Sequence, residues 1–141
     1  MGLDNGLILH SKEPIDFPRE IIDYIDKLPV DAHTARTFPY KYELCYWRKC
    51  WNLRREIGHA LGAANVEYVD KSWLTISDVK NIWHAINQLS SRRVWESGDS
   101  IWSWSEIKDH LARDLLIIDW LIYFMRQHEE SEYMVEFYDS Y

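Results

Sequence analysis

Apolar positions recur along this chain with two periods, and the changes of period divide it into elements. Leu3, Leu7, Ile8 and Leu9 form a short apolar run interspersed with Gly2 and Gly6, and Pro14 and Pro18 separate it from the next segment, so residues 3–9 predict a strand. Pro18 suits the first turn of a helix, whose face is Ile21, Tyr24, Ile25 and Leu28 and which Pro29 ends. Residues 29–39, bounded by prolines, predict a loop. Counted at about 100° per residue from Leu44, the side chains of Trp47, Cys50, Trp51, Leu53, Ile57 and Leu61 share one arc. A long helix is therefore expected from Lys41 to Leu61, ending at Gly62. Residues 64–69 have the composition of a strand. Val79, Ile82, Trp83, Ile86 and Leu89 then repeat at helical spacing behind Ser77 as a cap.

Ser103 and Glu106 have the spacing of a capping box, and Ile107, Leu111, Leu115, Ile118, Ile122 and Met125 extend the longest helical pattern behind them. Its second half is apolar almost all round, which places it at the centre of the packing. Residues 133–138 read as a closing strand. Isolated strands leave backbone groups unpaired, so the terminal strands should meet in a sheet. The expected fold is α+β and mainly helical, a single globular domain over residues 1–141. About four helices should surround a long C-terminal one, with a small antiparallel sheet made by the N- and C-terminal strands.

Composition narrows the class. Apolar residues make up 47% of the 141 positions and eight are Trp, far from the composition of a disordered chain. The first residues lack the basic flank and apolar run of an export signal, and the most apolar stretch, 115–125, is too short to span a bilayer. A cytoplasmic protein without membrane contact is expected. Cys45 and Cys50, about 140° apart on one helix, cannot bridge each other there. The net charge of −7 opposes direct nucleic-acid binding and favours a basic partner. Acid is concentrated at the end, in Glu129, Glu130, Glu132, Glu136 and Asp139.

Within the 41–61 helix, Arg54 falls in the middle of the apolar arc. A guanidinium removed from water needs a partner, and Asp4, Asp114 and Asp119 are the candidates for this buried charge. The opposite arc carries Arg48, Asn52, Arg55 and His59 at i, i+4, i+7 and i+11, a donor ladder roughly 16 Å long. Guanidinium groups in such a row suit an anionic ligand or an acidic strip on another chain. Docking of the acidic C-terminal strand onto the ladder is the internal alternative.

The opening Met1-Gly2-Leu3-Asp4, the run Tyr46-Trp47-Arg48-Lys49 with Asn52, and the ending Phe137-Tyr138-Asp139-Ser140-Tyr141 resemble a family of small phage and prophage proteins. The resemblance implies a phage-derived chain working in a bacterial cytoplasm, and it brings no catalytic residues with it.

Catalytic and metal-binding patterns are sparse. Glu56 and His59 make one Glu-x-x-His where carboxylate-bridged metal bundles need two. Neither Cys-x-x-Cys nor a phosphate-binding glycine loop is present. The sequence therefore predicts no catalytic residue, metal or cofactor. The leading expectation is a non-enzymatic accessory protein that binds a host or phage protein. The alternatives are a nucleotide- or small-anion-binding protein, possibly a hydrolase, centred on the donor ladder, and an acidic nucleic-acid mimic that inhibits a defence nuclease. A cluster at Trp95, Trp102 and Trp104 is a second place where a partner could anchor.

Overall fold

A computed structural model describes residues 4–48, 51–62, 73–91 and 104–140. Their order is β1 (Asp4–Ser11), α1 (Arg19–Ile22), β2 (Asp26–Lys27), β3 (Tyr40–Arg48), α2 (Trp51–Ala60), α3 (Ile76–Ser90), α4 (Trp104–Gln127) and β4 (Tyr133–Ser140). The fold is α+β, with a long C-terminal helix and a small antiparallel sheet, as the periodicity implies. The strand order is β2-β3-β1-β4, so the N-terminal strand lies in the middle, paired on one side with β3 and on the other with β4.

The principal correction concerns residues 40–48. The expected helix begins only at Trp51, and the residues before it form β3. A bulge explains why the spacing of this strand resembles that of a helix. Leu7 of β1 pairs with Cys45 while Ile8 pairs with Glu43, so Leu44 is an extra residue in β3. The buried side chains of this strand are consequently Tyr42, Leu44, Cys45 and Trp47, and their uneven spacing includes the i, i+3 intervals of a helix. The helix expected after Pro18 is also shorter, a single turn at 19–22 followed by β2.

Other boundaries shift less. α2 ends where expected, with Gly62 at φ +81°, a left-handed conformation that glycine adopts without strain. α3 is capped by Thr75 rather than Ser77: its hydroxyl accepts from Asp78 N at 3.1 Å while Asp78 accepts from Thr75 N at 3.0 Å. The 64–69 strand, Ser103, Cys50, Trp95 and Trp102 lie outside the described residues.

Helices cover one face of the sheet. Leu7 and Leu9 of β1, Leu44 and Trp47 of β3 and Val135 and Phe137 of β4 meet Leu53 and Ile57 of α2, Ile82 and Ile86 of α3 and Ile118 and Leu121 of α4 in one core. α3 packs between α2 and α4. The opposite face is polar at its edges, yet the middle strand is closed there too: Gly6, Ile8 and His10 are all buried. Gly6 is required by close approach, since a Cβ at this position would lie 2.2 Å from the Cys45 carbonyl oxygen and 2.9 Å from the Tyr138 ring. No helix among the described residues is long and apolar enough to cross a membrane.

Candidate functional site

The donor ladder does not form as one helical row. Arg48 closes β3, whereas Arg55 and His59 are exposed on α2, and the Asn52 side chain lies outside the described set. The inference about Arg54 holds in its physical content, because the residue is 2% exposed and its Nε and Nη2 donate to Asp139 Oδ2 at 3.1 and 2.7 Å. The partner differs from the three candidates. Asp139 belongs to β4, so this contact fastens α2 to the C-terminal strand. Asp114 is instead occupied by Trp47 Nε1, which donates to it at 2.7 Å, and by His110 Nδ1 at 2.8 Å. Cys45 sits against the same carboxylate, and burial pushes its thiol well above the usual range, reinforced by the Asp114 charge. Such a thiol is an inert core group.

A different arrangement has the features of a recognition site. A cleft of about 680 Å³ opens between the loop after β1 and the C-terminal half of α4, closed at one end by the turn before β4. Its wall is an aromatic column generated by helical spacing: Trp120, Phe124 and His128 follow at i, i+4 and i+8 and therefore stack along one face. The Trp120 and Phe124 ring centroids are 5.3 Å apart, and Phe124 stacks on His128 at 4.1 Å. His128 Nδ1–H donates to the Phe124 carbonyl at 2.9 Å, which fixes the ring past the helix end. Tyr123, 62% exposed, stands beside the column.

The column is buttressed from the core. Phe17 lies 4.9 Å from Trp120, and Tyr133 makes an edge contact with Phe124 at 5.5 Å. The facing loop is held as firmly. Ser11 Oγ donates to the Glu13 carbonyl at 2.7 Å, Lys12 N to the Glu132 carbonyl at 3.1 Å, and Ile15 N to the Tyr42 hydroxyl at 3.2 Å. The cleft is thus a formed feature, its loop braced internally and tied to the turn before β4 and to β3.

Its charge is mainly negative. Glu13, Asp16 and Glu132 line it against the ammonium of Lys12, and Glu129 and Glu130 are exposed on the adjoining turn. Aromatic faces beside carboxylates attract cations twice, through the ring quadrupole and through direct charge. The sequence carries this signal in Trp120, Phe124 and His128, a second stripe on a helix whose apolar periodicity points only to the core. Among the described residues no group of three or more His, Cys, Asp or Glu could hold a metal ion. No family model, curated protein or solved structure matches the chain.

Proposed function

We propose that this protein is a phage-derived accessory protein that acts by binding, without catalysis, and that the aromatic and acidic cleft takes an arginine- or lysine-bearing segment of a host or phage protein. The observation that supports this reading is the pairing of Trp120, Tyr123 and Phe124 with Glu13, Asp16 and Glu132 around one cleft. The two halves act differently. Tyr123 and the open part of Trp120 receive the flat guanidinium or the aliphatic stem of a basic residue, Phe124 backs them from the core, and the carboxylates meet its charge. The chain's net charge of −7 favours the same partner at long range and speeds the encounter.

The test is calorimetric titration with an arginine-rich peptide and an acidic peptide of equal length. Binding of the basic peptide alone is expected, weakening as salt is added. Tyr123→Ala, at an exposed position, should weaken it about tenfold, the cost of one interface anchor, with the melting temperature unchanged. Glu13→Lys with Glu132→Lys should abolish binding. The pair Asp23→Lys and Asp26→Lys makes the same change in net charge outside the cleft and should leave most of the affinity. Equal losses from the two double variants would reduce the effect to overall charge and refute the cleft.

A further inference from the structure

The turn Glu129–Glu132 that closes one end of the aromatic cleft adjoins a second opening. This is a groove of about 110 Å³ between the chain just before α3, the end of α4 and the start of β4. Glu130 lines the groove while Ser131 and Glu132 line the cleft, so the two openings share one exposed acidic rim. Tyr133 links them below that rim: it lines the groove, and its ring meets Phe124 of the aromatic column edge-on at 5.5 Å.

The groove carries an exposed tryptophan. Trp73 is 59% exposed and has φ +64°, the left-handed conformation that a bulky side chain rarely adopts. The chain beside it is pinned. Leu74 N donates to the Val135 carbonyl of β4 at 2.8 Å, Thr75 opens the capping box of α3, and the Phe38 ring lies edge-on to the indole at 6.2 Å. Packing alone gives no reason to keep a ring that is more than half in water at a strained position, where glycine would remove the strain. Strain of this kind is held by fixed surroundings and concentrates at sites of binding, and tryptophan is among the side chains that most often anchor interfaces.

The groove itself is apolar and small. Buried Met125, Tyr133 and Val135 and half-buried Ile76 and Met134 line it, and thioether side chains adjust to the shape of what they meet. At about 110 Å³ the space is below the roughly 150 Å³ that admits a benzene ring, so it suits an aliphatic side chain better than an aromatic one. The rim fixes the character of what lies next to that side chain. Glu129, Glu130 and Glu132 are exposed there, and residues 127–135 contain no Lys or Arg, so an acidic segment is repelled and a basic one is drawn across.

We infer that the basic segment taken by the cleft continues over this turn and seats one aliphatic side chain in the groove beside Trp73. The partner's recognition motif is then bipartite, a basic residue and an aliphatic residue a short distance apart in sequence. This rests on the reading of the cleft and adds a second anchor to it, selected by the charge of the shared rim and by the continuity of the two openings.

The test is calorimetric titration of the full chain with arginine-rich peptides that carry one leucine before or after the basic core at increasing spacings, each matched by a peptide with serine at the same place. At one spacing the leucine peptide should bind about tenfold more tightly than its serine counterpart, the worth of burying most of one aliphatic side chain. Phenylalanine there should gain less. Trp73→Ala should remove the leucine gain and leave the affinity of the serine peptide unchanged, whereas Tyr123→Ala should weaken both peptides by the same factor. The chain has three methionines, so their methyl resonances report on the groove directly: the leucine peptide should shift that of Met134 and the serine peptide should not. Failure of every serine peptide to bind would sink the cleft and this extension with it. Serine peptides that bind, with no leucine gain at any spacing, a gain that survives Trp73→Ala or a Met134 methyl that stays in place, would overturn the extension alone.

Discussion

The two faces of the middle strand are both closed to water, and they are closed by opposite means. On the helix side, Leu7 and Leu9 are covered by aliphatic and aromatic side chains, and the ion pair of Arg54 with Asp139 is sealed at 2% and 0% side-chain exposure. On the other side, Ile8 stands between titratable groups carried on the flanking strands, and His10 bonds one of them, Glu136, and lies against the Phe38 ring. Glu43 and Glu136 are both register partners of Ile8, one on each side of it. The first face draws its cohesion from apolar contact and buried polar pairs shut away from the medium. The second carries ionisable groups on both flanking strands, Glu43 on one side and Glu136 on the other.

Disabling the sealed pair should have the largest effect. Asp139→Ala removes one partner of a buried ion pair and should destabilise by about 3–5 kcal/mol, as measured by urea unfolding. The double replacement Arg54→Met with Asp139→Leu should recover most of that loss, because two apolar side chains of similar volume need no compensating charge. If the double variant is no better than the single one, the contact also sets the position of α2.

On the polar face the largest effect should come from filling the space above Gly6. Gly6→Ala should cost about 1–3 kcal/mol, as overpacking does. Adding Tyr138→Ala should not restore it, since the nearer obstacle is the Cys45 carbonyl of the neighbouring strand. Full rescue by the second substitution would show that the strands can separate locally, making this face the softer of the two.

The smallest effect, and the most informative about the contrast, concerns the two glutamates. Burial raises the Glu43 carboxyl above its ordinary range, against a hydrogen bond from the Tyr138 hydroxyl, whereas the His10 hydrogen bond lowers that of Glu136. Their linkages have opposite signs. Glu136 contributes stability that is present above its unfolded value and lost as pH falls through its depressed folded value. Glu43 contributes stability that is present below its unfolded value and lost as pH rises through its raised folded value. In thermal melts, Glu136→Gln should therefore lower stability at neutral pH by about 1 kcal/mol and flatten the acid-side decline. Glu43→Gln should leave neutral stability unchanged or raise it. Equal losses from both at neutral pH would erase the distinction between the two carboxylates.

α3, α4 and the terminal strands are legible in the sequence because the helices keep one apolar period and the strands are short apolar runs. Val79, Ile82, Ile86 and Leu89 are buried as the spacing requires, and the run Leu7-Ile8-Leu9 forms a strand buried on both faces. β3 is not legible, because a bulge shifts its phase at Leu44 and makes a strand imitate the spacing of a helix. With Arg48 on a strand and Arg55 and His59 on α2, the expected row is not a single helical ladder. The burial of Arg54 survives because it depends only on the local arc of α2. Its partner does not, because spacing within one helix carries no information about which strand will cover it. The aromatic column is visible as spacing, but its carboxylates come from a loop and a turn, and Glu13 and Asp16 are far from it in sequence.

The order of the strands bears on how the sheet is assembled during synthesis. β1 leaves the ribosome before its partners and occupies the centre of the sheet, yet β4 lies about 120 residues further along. At about 5–20 residues per second, the interval between the synthesis of the two is roughly 6–24 s, long compared with hairpin formation in microseconds. Through that interval β1 can pair with β3 but keeps an open edge, with Leu7 and Leu9 lacking their neighbours Phe137 and Val135. The nascent chain is consequently exposed to strand-to-strand association until β4 is made. A synthesis pause late in α4 would lengthen that exposure, whereas one before β3 would leave the half-built sheet unformed.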